Sequence, residues 1–242
     1  MEEMGEVVPQ VDVAEIQDIP DVAETRAAVV AAEIKMIDMI KEDFINLAKN
    51  YSDDIHLIDE LWEEIASNYS DNTRYYHTLS HLDHLFFQLT EVKDSISSWD
   101  TILFSLYYHD IIYDTKKSDN EEQSALLAET RMKQLEVPQI MIESCKGQIR
   151  ATKTHQEYTD SDTNYFTDAD LSILGQNWET YLTYAENVRK EYAIYPDLIY
   201  HPGRKKVLQH FLEMERIFKT DHFYEKFEIQ AKENILKEIS LY

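Results

Sequence analysis

The chain has 242 residues, enough for one large domain with a substantial core. Its 47 acidic residues outnumber 23 lysines and arginines, and the formal charge of -24 argues against a nucleic-acid duplex or an anionic membrane as a partner. The single cysteine, Cys145, excludes an internal disulfide and a paired-cysteine zinc site, as is usual in a reducing compartment.

The composition also indicates the fold class and the compartment. Only 4 glycines and 5 prolines interrupt long helix-compatible stretches, which predicts an all-α protein rather than a β-sandwich. No segment reaches the roughly 18 uncharged apolar residues of a membrane span, and the N-terminus has no basic region followed by an apolar run. We therefore expect a cytoplasmic protein.

The first segment, residues 1–26, has no basic residue before Arg26 and contains many acids and two prolines. This pattern is typical of a flexible acidic tail. The alternative is a partner-docking segment that folds on binding, since scattered valines and isoleucines could form a weak apolar stripe. Residues 27–242 are predicted to form a single helical domain.

Helical spacing of apolar residues begins near Ala27 and continues through the chain. A second helix is predicted to start after a cap at Asp53 or Asp54. Later helices are predicted at 74–96, 99–113, 120–136, 138–155, 169–175, 177–192, 203–219 and 222–240. Loops rich in turn formers are predicted at 114–120, 155–168 and 195–203.

The apolar helix TILFSLYYHDIIYD, residues 101–114, carries adjacent His109 and Asp110 at its far end. Such a helix should be buried nearly all round, and burying a carboxylate beside an imidazole is costly unless each is paired or binds a metal. Neighbouring helical positions point about 100° apart, so both side chains can approach one ion. Hydrogen bonds to neighbouring helices explain the dipeptide equally well.

Three histidines follow one another in and after the segment RYYHTLSHL, residues 74–82. His77, His81 and His84 have the spacing i, i+4, i+7, which predicts one polar stripe on a single helix beside an apolar core stripe. Three aligned imidazoles need polar partners.

A fourth segment, FTDADLSIL at 166–174, supplies two aspartates at the predicted start of a helix. Asp168 suits the helix N-cap. Asp170 lies inside the first predicted turn, among apolar neighbours, and is the better candidate for a buried ligand.

The order of these residues resembles the HD superfamily of metal-dependent phosphohydrolases, an all-α family. The shared order is a histidine, then an adjacent His-Asp pair, then a distant Asp in an A-D-x-L context. In this chain these residues are His81, His109 with Asp110, and Asp170. The blocks RYYHTLSHL, YYHDIIYD, SDNEEQSA, ATKTH, FTDADLSILG and GRKKVLQHFLE resemble a bacterial subfamily of predicted HD-type phosphohydrolases. This likeness covers residues 55–242.

The resemblance implies that these four residues bind a divalent metal ion. Two imidazoles and two carboxylates, completed by water, suit an octahedral ion, and the candidates are Mn, Mg, Co, Ni, Fe or Zn. The implied reaction is hydrolysis of a phosphate ester by metal-activated water, with a nucleotide or another small phosphorylated molecule as substrate.

The stretch YHTLSH also resembles the YHNxxH start of the cyclic-nucleotide phosphodiesterase catalytic domain. There the second histidine binds metal and the first protonates the leaving oxygen, so the likeness implies that His81 is a ligand and His77 the general acid. Asp110 is assigned to both catalysis and metal binding, and His84 to packing. Thr78 stands where that family has asparagine, and the later residues of the phosphodiesterase pattern are missing from this chain. The resemblance therefore does not imply a cyclic nucleotide as substrate.

An anionic substrate requires cations near the metal because the remainder of the chain is so acidic. The candidates for phosphate binding are Arg74, Lys153, His155 and Arg204. Lys116 and Lys117 are further candidates, although turn lysines are commonly just solvated.

Three acids are predicted to orient the metal ligands without binding the ion themselves: Glu121, Glu122 and Asp168. The two glutamates would equally suit the first turn of the helix from Asn120, where acids stabilise the positive end of the dipole. His155 has a similar alternative as a cation at the end of its helix.

Three functions remain open from the sequence. The first is a metal-dependent phosphohydrolase. The second is an HD-type di-iron oxygenase, which would need further ligands such as His155, Glu121 or Glu122. The third is a non-catalytic, metal-stabilised binding module.

Overall fold

The computed structural model describes residues 22–242, with side chains from Lys35 onwards. Within these residues the chain forms α-helices and short 3₁₀ helices and no strand, which confirms the all-α prediction. Residues 36–242 form one compact unit, and the described residues before them, 22–35, belong to a second.

The helices occur in the following order. They are α1 (Val22–Lys49), α2 (Ile55–Tyr69), α3 (Leu79–Glu91), α4 (Trp99–Tyr108), α5 (Asn120–Gln134), α6 (Gln139–Ala151), α7 (Ser161–Leu171), α8 (Trp178–Glu191), α9 (Asp197–Glu213) and α10 (Asp221–Ile239). Two 3₁₀ helices lie at Lys93–Ser95 and Ser172–Gly175.

Of the predicted acidic tail at residues 1–26, residues 1–21 lie outside the described residues. Helix α1 begins at Val22, ahead of the predicted start at Ala27, in a stretch of good helix formers. In residues 22–242, no helix combines the length and the apolar character that crossing a bilayer requires.

Helix α4 lies at the centre of the compact unit. Every residue from Thr101 to Tyr108 is buried, which confirms the prediction from its apolar sequence. It packs against α3, α5, α6 and α7. The residues that follow it, His109 and Asp110, therefore emerge inside the bundle rather than at its surface.

The helix predicted at 74–96 is shorter than expected, and the prediction that three histidines share it is wrong. Helix α3 begins at Leu79 after the N-cap Thr78, so His77 lies in the preceding turn. The N–H groups of residues 75–77 make no helical hydrogen bonds, because all three donate to one carboxylate oxygen of Glu191, at 2.8, 2.7 and 3.0 Å. A side chain distant in sequence thus fixes the helix start.

The loop predicted at 155–168 is wrong from residue 161 onwards, and residues 169–175 are helical as predicted but do not begin a helix. Helix α7 begins at Ser161, because the Asp160 carboxylate accepts a bond from the Thr163 N–H and acts as the N-cap. Asp168 and Asp170 therefore lie in the last turn of α7, not at the start of a helix. The many turn formers of this segment concealed a capped helix.

The predicted loop at 195–203 is likewise partly helical, since α9 begins at Asp197 and contains Pro202. A proline inside a helix removes one backbone hydrogen bond, which is why the sequence indicated a break there. Helix α4 ends earlier than predicted, at Tyr108, so Asp110 lies in the turn beyond it.

The close packing of the second 3₁₀ helix on α10 leads to a prediction about Gly175. A Cβ at this position would lie 2.4 Å from Cβ and 2.9 Å from Cα of Phe227. Because backbone must shift to admit it, we expect Gly175→Ala to lower the free energy of unfolding by about 1–3 kcal/mol. Urea denaturation measures the change.

Gly147 provides the matched control. It lies within α6, and an added Cβ meets nothing within 4 Å. Gly147→Ala should raise stability by about 0.5–1 kcal/mol through helix propensity. Equal stability changes in the two variants would show that the contact with Phe227 is not tight.

Candidate metal centre

The candidate ligands come from the ends of three helices that pack on one another. His81 lies in the first turn of α3, His109 is the C-cap of α4, and Asp170 lies in the last turn of α7. Since α3, α4 and α7 are mutual neighbours, these ends meet inside the bundle.

Three side chains form a group that could hold a metal ion. Ligand atoms of His81, His109 and Asp110 all lie within 4.8 Å of one another. The two imidazole Nε2 atoms are 3.0 Å apart, and the Asp110 Oδ2 atom is 3.1 Å from His109 Nε2 and 3.9 Å from His81 Nε2. Two donors bound at right angles to one ion lie about 3.0 Å apart for bonds of about 2.1 Å. The spacing therefore fits a shared divalent ion.

The hydrogen bond of His109 supports the same conclusion. Its Nδ1 atom lies 2.9 Å from the carbonyl oxygen of Leu106, to which it donates. In the neutral ring Nε2 then carries a lone pair, directed at the group. The corresponding Nδ1 atom of His81 is buried and has no hydrogen-bond partner among the described residues. Of these two histidines, only His109 therefore has its ring orientation fixed by a hydrogen bond at Nδ1.

Asp170 lies at the edge of this group. Its Oδ1 atom is 3.4 Å from His81 Nε2 and 3.8 Å from His109 Nε2. Its Oδ2 atom is 2.9 Å from Nε2 of His155. The carboxylate thus faces the candidate metal position with one oxygen and His155 with the other.

The charges of the group balance one another. Burial opposes the charged carboxylate of Asp110, but the charge of His109 outweighs it and holds the Asp110 pKa below its usual range. Burial likewise disfavours the charged His109, yet Asp110 raises the pKa of that imidazole to about 9. For His81, burial dominates and lowers the pKa. Burial also opposes the charged Asp170, but hydrogen bonds from His155 and His81 hold its pKa below the usual range, so both carboxylates are ionised. A cation bound there would take the place of the proton on His109 Nε2.

His77 is held beside the group by a residue that the sequence reasoning missed. Its Nδ1 atom lies 2.7 Å from the Glu191 Oε2 atom, and its Nε2 atom lies 3.8 Å from Asp110 Oδ2. Burial disfavours the imidazolium, but the hydrogen bond that His77 donates to Glu191 and the charge of Asp110 raise the His77 pKa. Nδ1 donates to Glu191, and Nε2 is the atom nearer the candidate ligands.

Glu191 is a buried carboxylate with five donors. Besides three backbone N–H groups and His77, it accepts a bond from the Tyr113 hydroxyl at 2.9 Å. Burial would raise its pKa, but the bonds from His77 and the backbone lower the pKa to about 2. The one local signal was an acid in the last turn of a helix, where negative charge is unfavourable.

A cavity of about 380 Å³ opens onto the group. Seven of the predicted site residues line it: His77, Asp110, Glu121, Lys153, His155, Asp170 and Arg204. The Lys153 ammonium contacts Glu121 and the Ser118 carbonyl, and the Arg204 guanidinium contacts Glu238 at 2.9 Å. Both predicted cations thus lie in the cavity wall with an acidic partner.

Three other predicted residues are engaged elsewhere. Arg74 is buried and donates to carbonyl oxygens of His77, Asp110 and Ile111, so it shapes the backbone of the site. Glu122 pairs with Arg150, near the surface.

The third, Asp168, is fully buried and holds the start of α10. Its carboxylate accepts bonds from the N–H groups of Lys219 and Thr220, at 2.9 and 2.7 Å. Asp168 and Asp170 therefore point to different partners, although they are two residues apart.

The two remaining histidines of interest have different environments. His84 lies 2.9 Å from the Ser172 hydroxyl and is not a member of the group, in keeping with its predicted packing role. His155 has a φ of 50°, in the left-handed region that a histidine adopts at a cost. Its N–H bonds the Ala151 carbonyl at 2.9 Å, as at a helix C-terminus. This strained backbone holds its ring against Asp170.

The fold and site define an all-helical protein with a buried His-His-Asp group that could hold a divalent metal ion. Comparison of the chain with models of known protein families, with curated proteins and with solved structures found no match in any of the three.

Proposed function

We propose that the protein is a metal-dependent phosphohydrolase of the HD type, acting on a small phosphate ester. The observation that supports it most is the meeting of His81, His109 and Asp110, together with a cavity that Asp110 and His77 both line. This is the combination implied by the resemblance to HD phosphohydrolases. His81, His109 and Asp110 would hold the ion, with Asp170 beside them.

A divalent ion bound there would acidify a coordinated water and neutralise charge on a phosphoryl oxygen. In the hydrolysis, a water oxygen forms a bond to phosphorus and the bond from phosphorus to the ester oxygen breaks. The attacking water loses a proton, for which we assign the Asp110 carboxylate as acceptor. The Glu191 carboxylate and the charge of Asp110 raise the His77 pKa and so favour the imidazolium, which would give a proton from Nε2 to the departing oxygen.

The remaining side chains would bind and orient the substrate. Lys153 and Arg204 lie in the cavity wall, each paired with an acid, and their remaining N–H groups would hydrogen-bond the substrate. Glu191 fixes the His77 ring, because Nδ1 donates a hydrogen bond to its carboxylate and Nε2 remains available to the substrate.

A substrate screen tests this function. Protein stripped with a chelator and reloaded with Mn²⁺ should release phosphate from at least one of glycerol 2-phosphate, 4-nitrophenyl phosphate and nucleoside monophosphates. His109→Ala protein, purified in parallel, should release none and controls for contaminating phosphatases. Retained metal without turnover of any ester would contradict the proposal and favour a non-catalytic binding module.

A di-iron oxygenase is a second candidate, and one observation favours it. Asp170 presents Oδ1 to His81 at 3.4 Å and Oδ2 to His155 at 2.9 Å, so one carboxylate could serve two ions. Two irons per chain with substrate-dependent consumption of dioxygen would support this candidate, whereas phosphate release without dioxygen supports the hydrolase.

A further inference from the structure

A second cavity, of about 390 Å³, adjoins the one at the candidate metal centre. Val188, Tyr192, Arg204 and Val207 line both cavities, so the second begins where the first ends. Together they have the size of an ordinary small-molecule site, in which one part can hold a phosphate and the other its organic group.

The lining of the second cavity is aromatic and aliphatic. Tyr192 lies between two other tyrosines, with ring centroids 6.2 Å from Tyr195 and 5.8 Å from Tyr200. The Tyr195 hydroxyl donates to the Thr115 carbonyl at 3.4 Å. We name this space, lined by Tyr192, Tyr195 and Tyr200, the tyrosine cavity.

The charged group of the tyrosine cavity is already neutralised. The Arg204 guanidinium bonds both carboxylate oxygens of Glu238, at 2.9 and 3.1 Å, and the Tyr184 hydroxyl at 3.2 Å. Few hydrogen-bonding groups are therefore left to recognise a polar ligand. A nucleobase would bury several polar atoms without partners, which is costly.

Tyr200 lines the cavity without exposing its hydroxyl oxygen to it. Tyr200 is 7% exposed, and its buried hydroxyl has no hydrogen bond among the described residues. The Arg189 guanidinium lies 4.6 Å from the centre of its ring, which keeps the ring in place.

We propose that the tyrosine cavity binds the aryl group of the substrate, so that the substrate is an aryl phosphate ester rather than a nucleotide. This rests on the proposed function, because the phosphate is assigned to the neighbouring metal centre. Aromatic walls favour a flat apolar ring through stacked and edge contacts.

Gly203 is a position on the cavity wall that can accept a side chain. It lies on α9 and lines the tyrosine cavity, and an added Cβ meets nothing within 4 Å. We expect Gly203→Phe to fold, as judged by cooperative thermal unfolding. It should lower kcat/KM for 2-naphthyl phosphate about tenfold or more relative to kcat/KM for glycerol 2-phosphate.

Lys206→Phe is the matched control. Lys206 is exposed on the same helix and lines neither cavity, so an equal added bulk there should leave the ratio of the two kcat/KM values unchanged. A direct probe complements the kinetics: 2-naphthol fluorescence should report binding that Gly203→Phe weakens about tenfold and Lys206→Phe does not.

The two readouts separate the aryl site from the proposed function. Naphthol binding that Gly203→Phe abolishes, in a protein that hydrolyses no ester, would overturn the hydrolase and leave a binding site for the ring. Ester hydrolysis with equal losses for both substrates, or naphthol binding that Gly203→Phe leaves intact, would overturn the aryl site and leave the hydrolase.

Discussion

Replacing His109 by alanine should lower the affinity for Mn²⁺ by about a hundredfold or more, since even residues behind a ligand change metal affinity by about 10–100-fold. The variant loses the Nε2 atom that lies 3.0 Å from His81 and 3.1 Å from Asp110, and with it the centre of the group. Asp110→Ala should have a similar effect. Isothermal titration of chelator-treated protein with Mn²⁺ measures both.

His84→Ala is the control for this experiment. His84 lies on the same helix as His81 but bonds Ser172 and is not in the group, so its loss should leave metal affinity unchanged. Full affinity and stoichiometry in both His109→Ala and Asp110→Ala would show that the metal binds elsewhere or not at all.

Replacing His77 by alanine should keep the metal and lower kcat for glycerol 2-phosphate by about 10²–10⁴-fold, the usual contribution of a general acid. The alkoxide of this ester is a poor leaving group and needs the proton from Nε2. With 4-nitrophenyl phosphate the departing phenolate is stable without a proton, so the loss should be much smaller. Steady-state kinetics on both esters, with metal content measured in parallel, make the comparison.

The difference between the two esters separates proton donation from a structural role. A distorted site would slow both substrates alike, because positioning serves either ester. Equal losses, or no loss with glycerol 2-phosphate, would therefore remove His77 as the proton donor. His84→Ala again serves as the control and should affect neither ester.

The sequence alone predicted the helical class and the residues that meet at the centre. Few glycines and prolines, long apolar spacing and the buried helix before His109 were local signals that the packing preserved. The grouping of His81 with His109 and Asp110 depended on the order of residues in the resemblance, because no periodicity relates positions on α3 and α4.

The surroundings of the centre could not be predicted in this way. The start of α3 depends on Glu191, which takes three N–H groups that helical spacing had assigned to a longer helix. Asp160 caps α7 inside a stretch whose composition indicates a loop. Both features are side-chain bonds that compete with the local preference, and single-sequence patterns do not contain them.

The role of basic residues was the hardest to read from the sequence. Arg74 seemed available for a phosphate, yet its guanidinium is used by backbone carbonyls around Asp110. Lys153 and Arg204 line the cavity, each with an acidic partner. Such pairing depends on elements far apart in sequence and emerges only from the packed structure.

Anomalous diffraction from crystals soaked in Mn²⁺ tests the central claim most directly. The account predicts a peak between the Nε2 atoms of His81 and His109 and the carboxylate of Asp110, within bonding distance of all three and absent from His109→Ala crystals. A peak at another position, or none at these residues in crystals that hold Mn²⁺ elsewhere, would contradict it.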